Sequence, residues 1–137
     1  MSENLDLVRS IYADWERGDY RSAEWADPEI ECVIADGPAP GRWTGAPAMA
    51  AAWGDFLSAW EYWRVDVDEY RELDDERVLV LEDHSAGAKT SGLRIGEMFG
   101  ETRSKGASLF HLRDSKVTRF VTYLDRDRAL ADLGLKE

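Results

Sequence analysis

Two histidines and a few well-placed carboxylates carry most of the chemistry open to this chain. His84 follows an apolar run, VLVLEDH, with Glu82 two positions before it. Strand alternation puts Glu82 and His84 on one face and Asp83 on the other. An imidazole oriented by a carboxylate can act as a general base near neutral pH. A histidine at a sheet edge is the alternative reading. Asp36 opens a loop at a strand end, and a carboxyl buried at a pocket mouth can take a proton. A plain turn aspartate is the alternative there. Asp36 and His84 are the catalytic candidates. His111 lies in a later strand. If the turn spans Arg113 to Ser115, His111 shares a face with Leu109 and Val121, opposite Ser108, Phe110 and Phe120. With Ser108 and Phe110 inward, His111 falls at an interface.

Other chemistries find little support. The two histidines are far apart in sequence, and no His, Cys and carboxylate group has metal-ligand spacing. GPAPG lacks the Lys and Ser/Thr of a phosphate loop. There is no G-x-S-x-G nucleophile elbow. Cys32 is the one cysteine, set in the apolar stretch IECVIA, so it forms no intrachain disulfide and reads as a small buried hydrophobe. No metal and no cofactor is expected.

Composition narrows the partners. The 137 residues carry a net charge of −11, with 44% apolar, 33% charged and 11% aromatic residues. Phosphate backbones and anionic membrane surfaces repel such a chain, so neither nucleic acid nor membrane is an expected partner. The first ten residues, MSENLDLVRS, carry no basic segment followed by an apolar run, and no apolar stretch is long enough for a bilayer. A cytoplasmic protein is expected. Six tryptophans, at 15, 25, 43, 53, 60 and 63, exceed what a small core requires. Rigid rings either pack a core or line a cavity that keeps its shape without a ligand.

The elements that must position these residues can be read from punctuation and period. Leu5, Val8, Ile11, Tyr12 and Trp15 recur at helical spacing between Asn4 and Gly18. A short second helix is predicted over Tyr20 to Ala26, broken by Asp27-Pro28. A first strand runs from Ile30 to Ala35. A Pro- and Gly-rich loop follows from Ala35 to Pro47. Pro47 then opens a helix that reaches Trp60, with Met49, Trp53, Phe56, Leu57 and Trp60 on one face. Strands are predicted over Trp63 to Leu73 and Arg77 to Ser85, the second inside the sheet because both its faces are apolar. Ala86 to Gly106 is Gly-rich, with a strand near Leu93 to Met98. Ala107 to Arg113 and Lys116 to Leu124 form a hairpin across Asp114-Ser115, where Gly is the more usual second turn residue. Asp125 caps a last helix that Gly134 closes, with Ala129, Leu130 and Leu133 inward. Helices followed by antiparallel strands give one α+β domain over residues 1–137.

Four segments resemble landmarks of the SnoaL-like proteins in the nuclear transport factor 2-like superfamily. They are LVRSIYADWERGDY, WADPEIECVI, GRWTGAPAMAAAW and FHLRDSKVTRFVTYLDRDRALADLGL. The resemblance spans Leu5 to Leu135. It implies a curved, mostly antiparallel sheet wrapped around the N-terminal helices as a cone-shaped barrel with one inner pocket. It also implies a homodimer through the outer sheet face, where a monomer would expose Leu109 and Val121. On this reading Tyr12, Trp15, Trp43, Trp53, Phe56, Trp60, Ser108, Phe110 and Phe120 line the pocket. Relatives include ketosteroid isomerase, polyketide cyclase, scytalone dehydratase and limonene epoxide hydrolase, and some members have no catalysis, so fold does not give function. Placed against the isomerase, whose set is an Asp base with a Tyr and a protonated Asp, the base position falls near Val33. The protonated Asp falls near Ser108. The Tyr falls near Ile11, with Tyr12 on the neighbouring face. None of the three is retained. The expectation is a small-molecule pocket protein for an apolar or aromatic compound, acting without cofactor as a lyase, isomerase, cyclase or hydrolase. The alternative is a non-catalytic ligand-binding or dimerisation module.

Overall fold

A computed structural model describes residues 3–17, 24–36, 40–58, 60–88 and 102–135. The order is α1 (Glu3–Glu16), β1 (Ala26–Ile34), β2 (Gly41–Thr44), α2 (Ala46–Ser58), β3 (Trp60–Glu72), β4 (Arg77–Ala88), β5 (Thr102–Arg113), β6 (Lys116–Tyr123) and α3 (Arg126–Leu133). The six strands form one sheet in the order β2-β1-β6-β5-β4-β3. Every neighbouring pair is antiparallel except β1 with β6. The architecture is α+β, an open, curved sheet with helices against both faces.

Helix α1 forms because its apolar residues recur at three and four, which turns Val8, Ile11 and Tyr12 to the sheet; these are 0%, 1% and 2% exposed. Glu3 and Asp6 in its first turn suit the positive end of the helix dipole. Burying each such side chain contributes about 1.5–3 kcal/mol.

The sheet has an apolar core on each face. Val78 and Val80 of β4, Phe110 and Leu112 of β5, and Val117 and Phe120 of β6 meet α1 and α2 on the inner face. The intervening Leu79, Leu81, Ala107, Leu109, Val121 and Tyr123 point the other way, against Ala129 and Leu130 of α3. This is why the interior of β4 lacks the alternation of a half-exposed strand. It also corrects the expectation for Leu109 and Val121. They are 5% and 4% exposed without any partner chain, because α3 lies over them.

The closing hairpin has Asp114 at φ 51 and Ser115 at φ 62, both left-handed, the backbone of a type I′ turn whose twist matches the strands. Asp125 caps α3 by accepting from the Asp127 amide at 3.0 Å, and Gly134 ends it at φ 68 with its N–H on the Ala131 carbonyl.

Several elements differ from expectation. Helix α2 ends at Ser58, short of Trp60, which instead opens β3. Strand β4 runs on to Ala88 and β5 begins at Thr102, both within the stretch read as Gly-rich from Ala86 to Gly106. Strand β1 begins at Ala26, before Asp27-Pro28, and its register against β6 slips between Ala26 and Glu31. That irregular stretch accommodates a proline that can donate no ladder bond. The Pro- and Gly-rich loop contains β2, which pairs with β1 from Glu31↔Thr44 to Ile34↔Gly41. Of the second helix predicted over Tyr20 to Ala26, residues 20–23 lie outside the described residues, while Glu24 and Trp25 form a turn and Ala26 opens β1. The predicted strand near Leu93 also lies outside the described residues.

Candidate functional site

The inner face of β4 changes character at its sixth residue. After Val78 and Val80, the next inward positions are Glu82 and His84, each 2% exposed. A buried carboxylate costs several kcal/mol unless hydrogen-bonded, and three side chains from three elements meet it. Tyr12 of α1 donates its hydroxyl to Glu82 Oε2. Ser108 of β5, 1% exposed, donates to Oε1 at 3.0 Å. His84 Nε2 lies 2.8 Å from the same oxygen. Among the described residues, no arginine or lysine pairs with this carboxylate.

Each placement has a local cause. Tyr12 is on the α1 stripe that faces β4. Ser108 stands opposite Val80 in the β4–β5 ladder, one pair before Glu82 meets Gly106 on that face. Gly106 makes room for the imidazole: a Cβ there would lie 2.3 Å from His84 Cε1 and 2.6 Å from the Tyr123 carbonyl. Burial first, then the Glu82 carboxylate, pushes the Tyr12 phenol well above its ordinary value of 10.0. It therefore stays protonated, as a donor, throughout the neutral range.

Aromatic rings surround the cluster. Tyr12 meets Trp15, Tyr70 and Phe110 edge-on at centroid distances of 4.8, 6.0 and 5.9 Å. Phe120 stacks on Phe110 at 4.8 Å and on Trp53 at 6.0 Å. Trp15 and Trp53 are only partly buried against the inner core, so the ring cluster extends towards the surface. Chemically the arrangement offers a carboxylate proton acceptor, a phenol and a serine hydroxyl as donors, and an imidazole in contact with the acceptor, all in apolar surroundings.

The predicted site residues divide in three. Tyr12, Trp15, Trp53, Ser108, Phe110 and Phe120 share the inner cluster with His84. Trp43 pairs with Cys32 on edge strand β2, its ring against Gly41 and outside the packed inner cluster. The side chains of Phe56 and Trp60 lie outside the described residues. Asp36 is three strands from Glu82 in the sheet order. Its carboxylate accepts from the Leu124 amide at 2.6 Å and the Asp125 amide at 3.2 Å, where the chain enters α3. His111 projects from the outer face into an open groove with Asp74, Asp75, Glu76 and Arg77. Burial, then Arg119 and Arg77, lowers its pKa. Burial pushes the Cys32 thiol up to about 11, so it is not a thiolate. No group of three His, Cys or carboxylate side chains among the described residues could hold a metal ion, and no described helix is long and apolar enough to cross a membrane.

Solved structures with the same architecture are numerous. An NTF2-like protein of unknown function from Burkholderia pseudomallei superposes with a TM-score of 0.76 and 20% identity, covering 96% of this chain and 97% of that one. TerC, co-crystallised with polyporic acid, gives 0.74 at 19% identity, with 96% and 98% covered. The chain has the nuclear transport factor 2-like fold. A protein described as a SnoaL-like polyketide cyclase, from Jannaschia, gives 0.69 at 16% identity, covering 96% and 89%. At such identities the likeness shows the NTF2-like fold and leaves the reaction open. No protein-family profile and no curated protein sequence matches the chain.

Within this NTF2-like cone, sequence reading paired Glu82 with His84 but not with Tyr12 or Ser108. The available signal was a charged residue at an inward position of an otherwise apolar strand. Ser108 is not an acid, but its hydroxyl contacts the Glu82 carboxylate on the adjacent strand.

Proposed function

We propose that the protein is a cofactor-free acid–base catalyst acting on a flat apolar or aromatic compound held in the cone. The buried Glu82 carboxylate, with Tyr12, Ser108 and His84 converging on it, is the observation that carries this reading. Glu82 takes a proton from an activated C–H or O–H of the ligand. The Tyr12 phenol, which holds Glu82 Oε2 before the transfer, is released once Glu82 is protonated and then donates its one hydrogen to the ligand oxygen on which negative charge collects. His84 orients the carboxylate and passes the proton on. Aromatic neighbours supply a dry, rigid wall that strengthens each of these interactions. TerC, a protein of the same fold, was co-crystallised with polyporic acid, which supports a small organic ligand by analogy of fold. A homodimer in the cytoplasm, as one domain, completes the proposal.

Tryptophan fluorescence tests binding, with polyporic acid as first probe and flat aryl ketones bearing an acidic C–H as the second set. Deuterium exchange into that C–H, followed by mass spectrometry, tests catalysis. The expected result is saturable quenching and an exchange rate that falls about 100-fold or more in Glu82→Gln. Equal exchange in wild type and Glu82→Gln overturns the catalytic reading. Quenching without any exchange favours the non-catalytic binding module.

A further inference from the structure

The cluster has a brace on the opposite side of the sheet. Arg126, the first residue of α3, is 11% exposed in its side chain. Its Nη2 donates to the Glu82 carbonyl at 2.7 Å and to Asp68 Oδ2 at 2.8 Å, and its Nε to the Gly106 carbonyl at 3.2 Å. These three acceptors belong to β4, β3 and β5, which are consecutive strands of the sheet.

The choice of acceptors ties this contact to the site. Glu82 and Gly106 are cross-strand partners. One carries the buried carboxylate, and the other is the glycine against which the His84 ring rests. Asp68 is the extra residue where β3 slips register, between Val67↔Glu82 and Glu69↔Leu81. A bulge leaves one residue without a ladder partner and bends its strand. Here that residue aims its carboxylate at the guanidinium, and Lys105 supports it from β5 at 3.1 Å. The Arg126 hydrogen bond is the largest reason that the Asp68 carboxyl lies below its ordinary range. A guanidinium suits this position because its planar fork reaches several acceptors at once, which an ammonium on a flexible stem does not.

We infer that Arg126, anchored by the Asp68 bulge, is a positioning residue that sets the backbone of Glu82 and Gly106 and so aims the carboxylate and the imidazole at one another. The inference rests on the proposed function for its meaning, but its test does not. The chain has two histidines, so ring-nitrogen NMR spectra at one fixed pH contain two sets of signals, and His111→Gln assigns them. Tyr12 is followed through the carbon bearing its hydroxyl. In Arg126→Met the His84 and Tyr12 signals are expected to move while those of His111 stay. Asp68→Asn should move them in the same direction by less. Arg128→Met, an exposed change on the same helix, should leave all of them in place.

A lower melting temperature in Arg126→Met with His84 and Tyr12 signals unchanged would reduce Arg126 to a structural brace and overturn the inference. Should that variant not fold, Arg126→Lys keeps the charge and loses the fork. Displaced His84 signals there support the inference, and unchanged ones overturn it. The two readings fail separately. Signals that move in Arg126→Met alongside normal exchange in Glu82→Gln leave the clamp standing and remove the catalyst. Unmoved signals alongside lost exchange do the reverse.

Discussion

Tyr12 shows how much a single side chain can depend on distant partners. Its hydroxyl is held by a carboxylate 70 positions later in the chain, and that pairing has no trace in local sequence. Tyr12→Phe removes one donor from a buried acceptor, which costs about 1–3 kcal/mol; urea unfolding at neutral pH checks it. The pH dependence has a definite sign. The folded state holds the phenol well above 10.0, whereas the unfolded state ionises near 10.0. The unfolded chain therefore binds fewer protons above that pH, and stability falls as pH rises from about 10 towards the folded value. Tyr70 and Tyr123 are shifted the same way, burial being the first cause in each. Tyr12→Phe should flatten part of this alkaline loss; an undiminished slope in that variant would count against the buried pairing. At this scale the sequence was half legible. The i, i+2 spacing put Glu82 beside His84, but Arg126 was invisible because nothing near it marks three acceptors on three other strands.

At the level of elements, legibility follows the range of the forces involved. The closing hairpin and α3 could be read because turn chemistry and caps act within a few residues: Asp125 caps, Gly134 stops, and two left-handed residues make the turn. Strand β2 was read as loop because its Gly and Pro neighbours outweigh four residues whose strand character comes only from pairing with β1. The start of β1 was missed for a related reason, since the slipped register that accommodates Pro28 is a property of two strands together. The turn yields a prediction of its own. Ser115 holds φ 62, a conformation that costs an L-residue about 1 kcal/mol or more and glycine much less. Ser115→Gly should raise the melting temperature by about 2–4 °C. No gain by calorimetry would show that the hairpin holds this backbone without strain.

Across the whole molecule the outer sheet face is divided. Helix α3 seals the apolar half, where Leu109 and Val121 are buried. The other half carries a row set by strand register, from Glu31 on β1 through Arg119 and His111 to Arg77 on β4. Arg119 Nε lies 2.9 Å from Glu31, and Arg77 Nε 2.8 Å from Asp74. With its apolar half covered by α3, a dimer formed through this face would meet mainly across charge, so salt should weaken it. Light scattering after size exclusion is expected to give a dimer mass at low salt and partial dissociation at about 1 M salt, where screening is nearly complete. A monomer mass in both would remove the dimer from the proposal.

The parallel pairing of β1 with β6 has a consequence for the order in which the protein can be made. Asp36, just after β1, bonds the Leu124 amide, 88 positions on, and the ladder between the two strands spans a similar distance. A ribosome therefore releases β1 and β2 well before their neighbour exists. They must wait as an unmatched ribbon until the last hairpin emerges. Non-local closure of this kind makes folding slow and leaves an open strand edge during synthesis. Cellular yield should thus depend on what shields that ribbon while translation finishes.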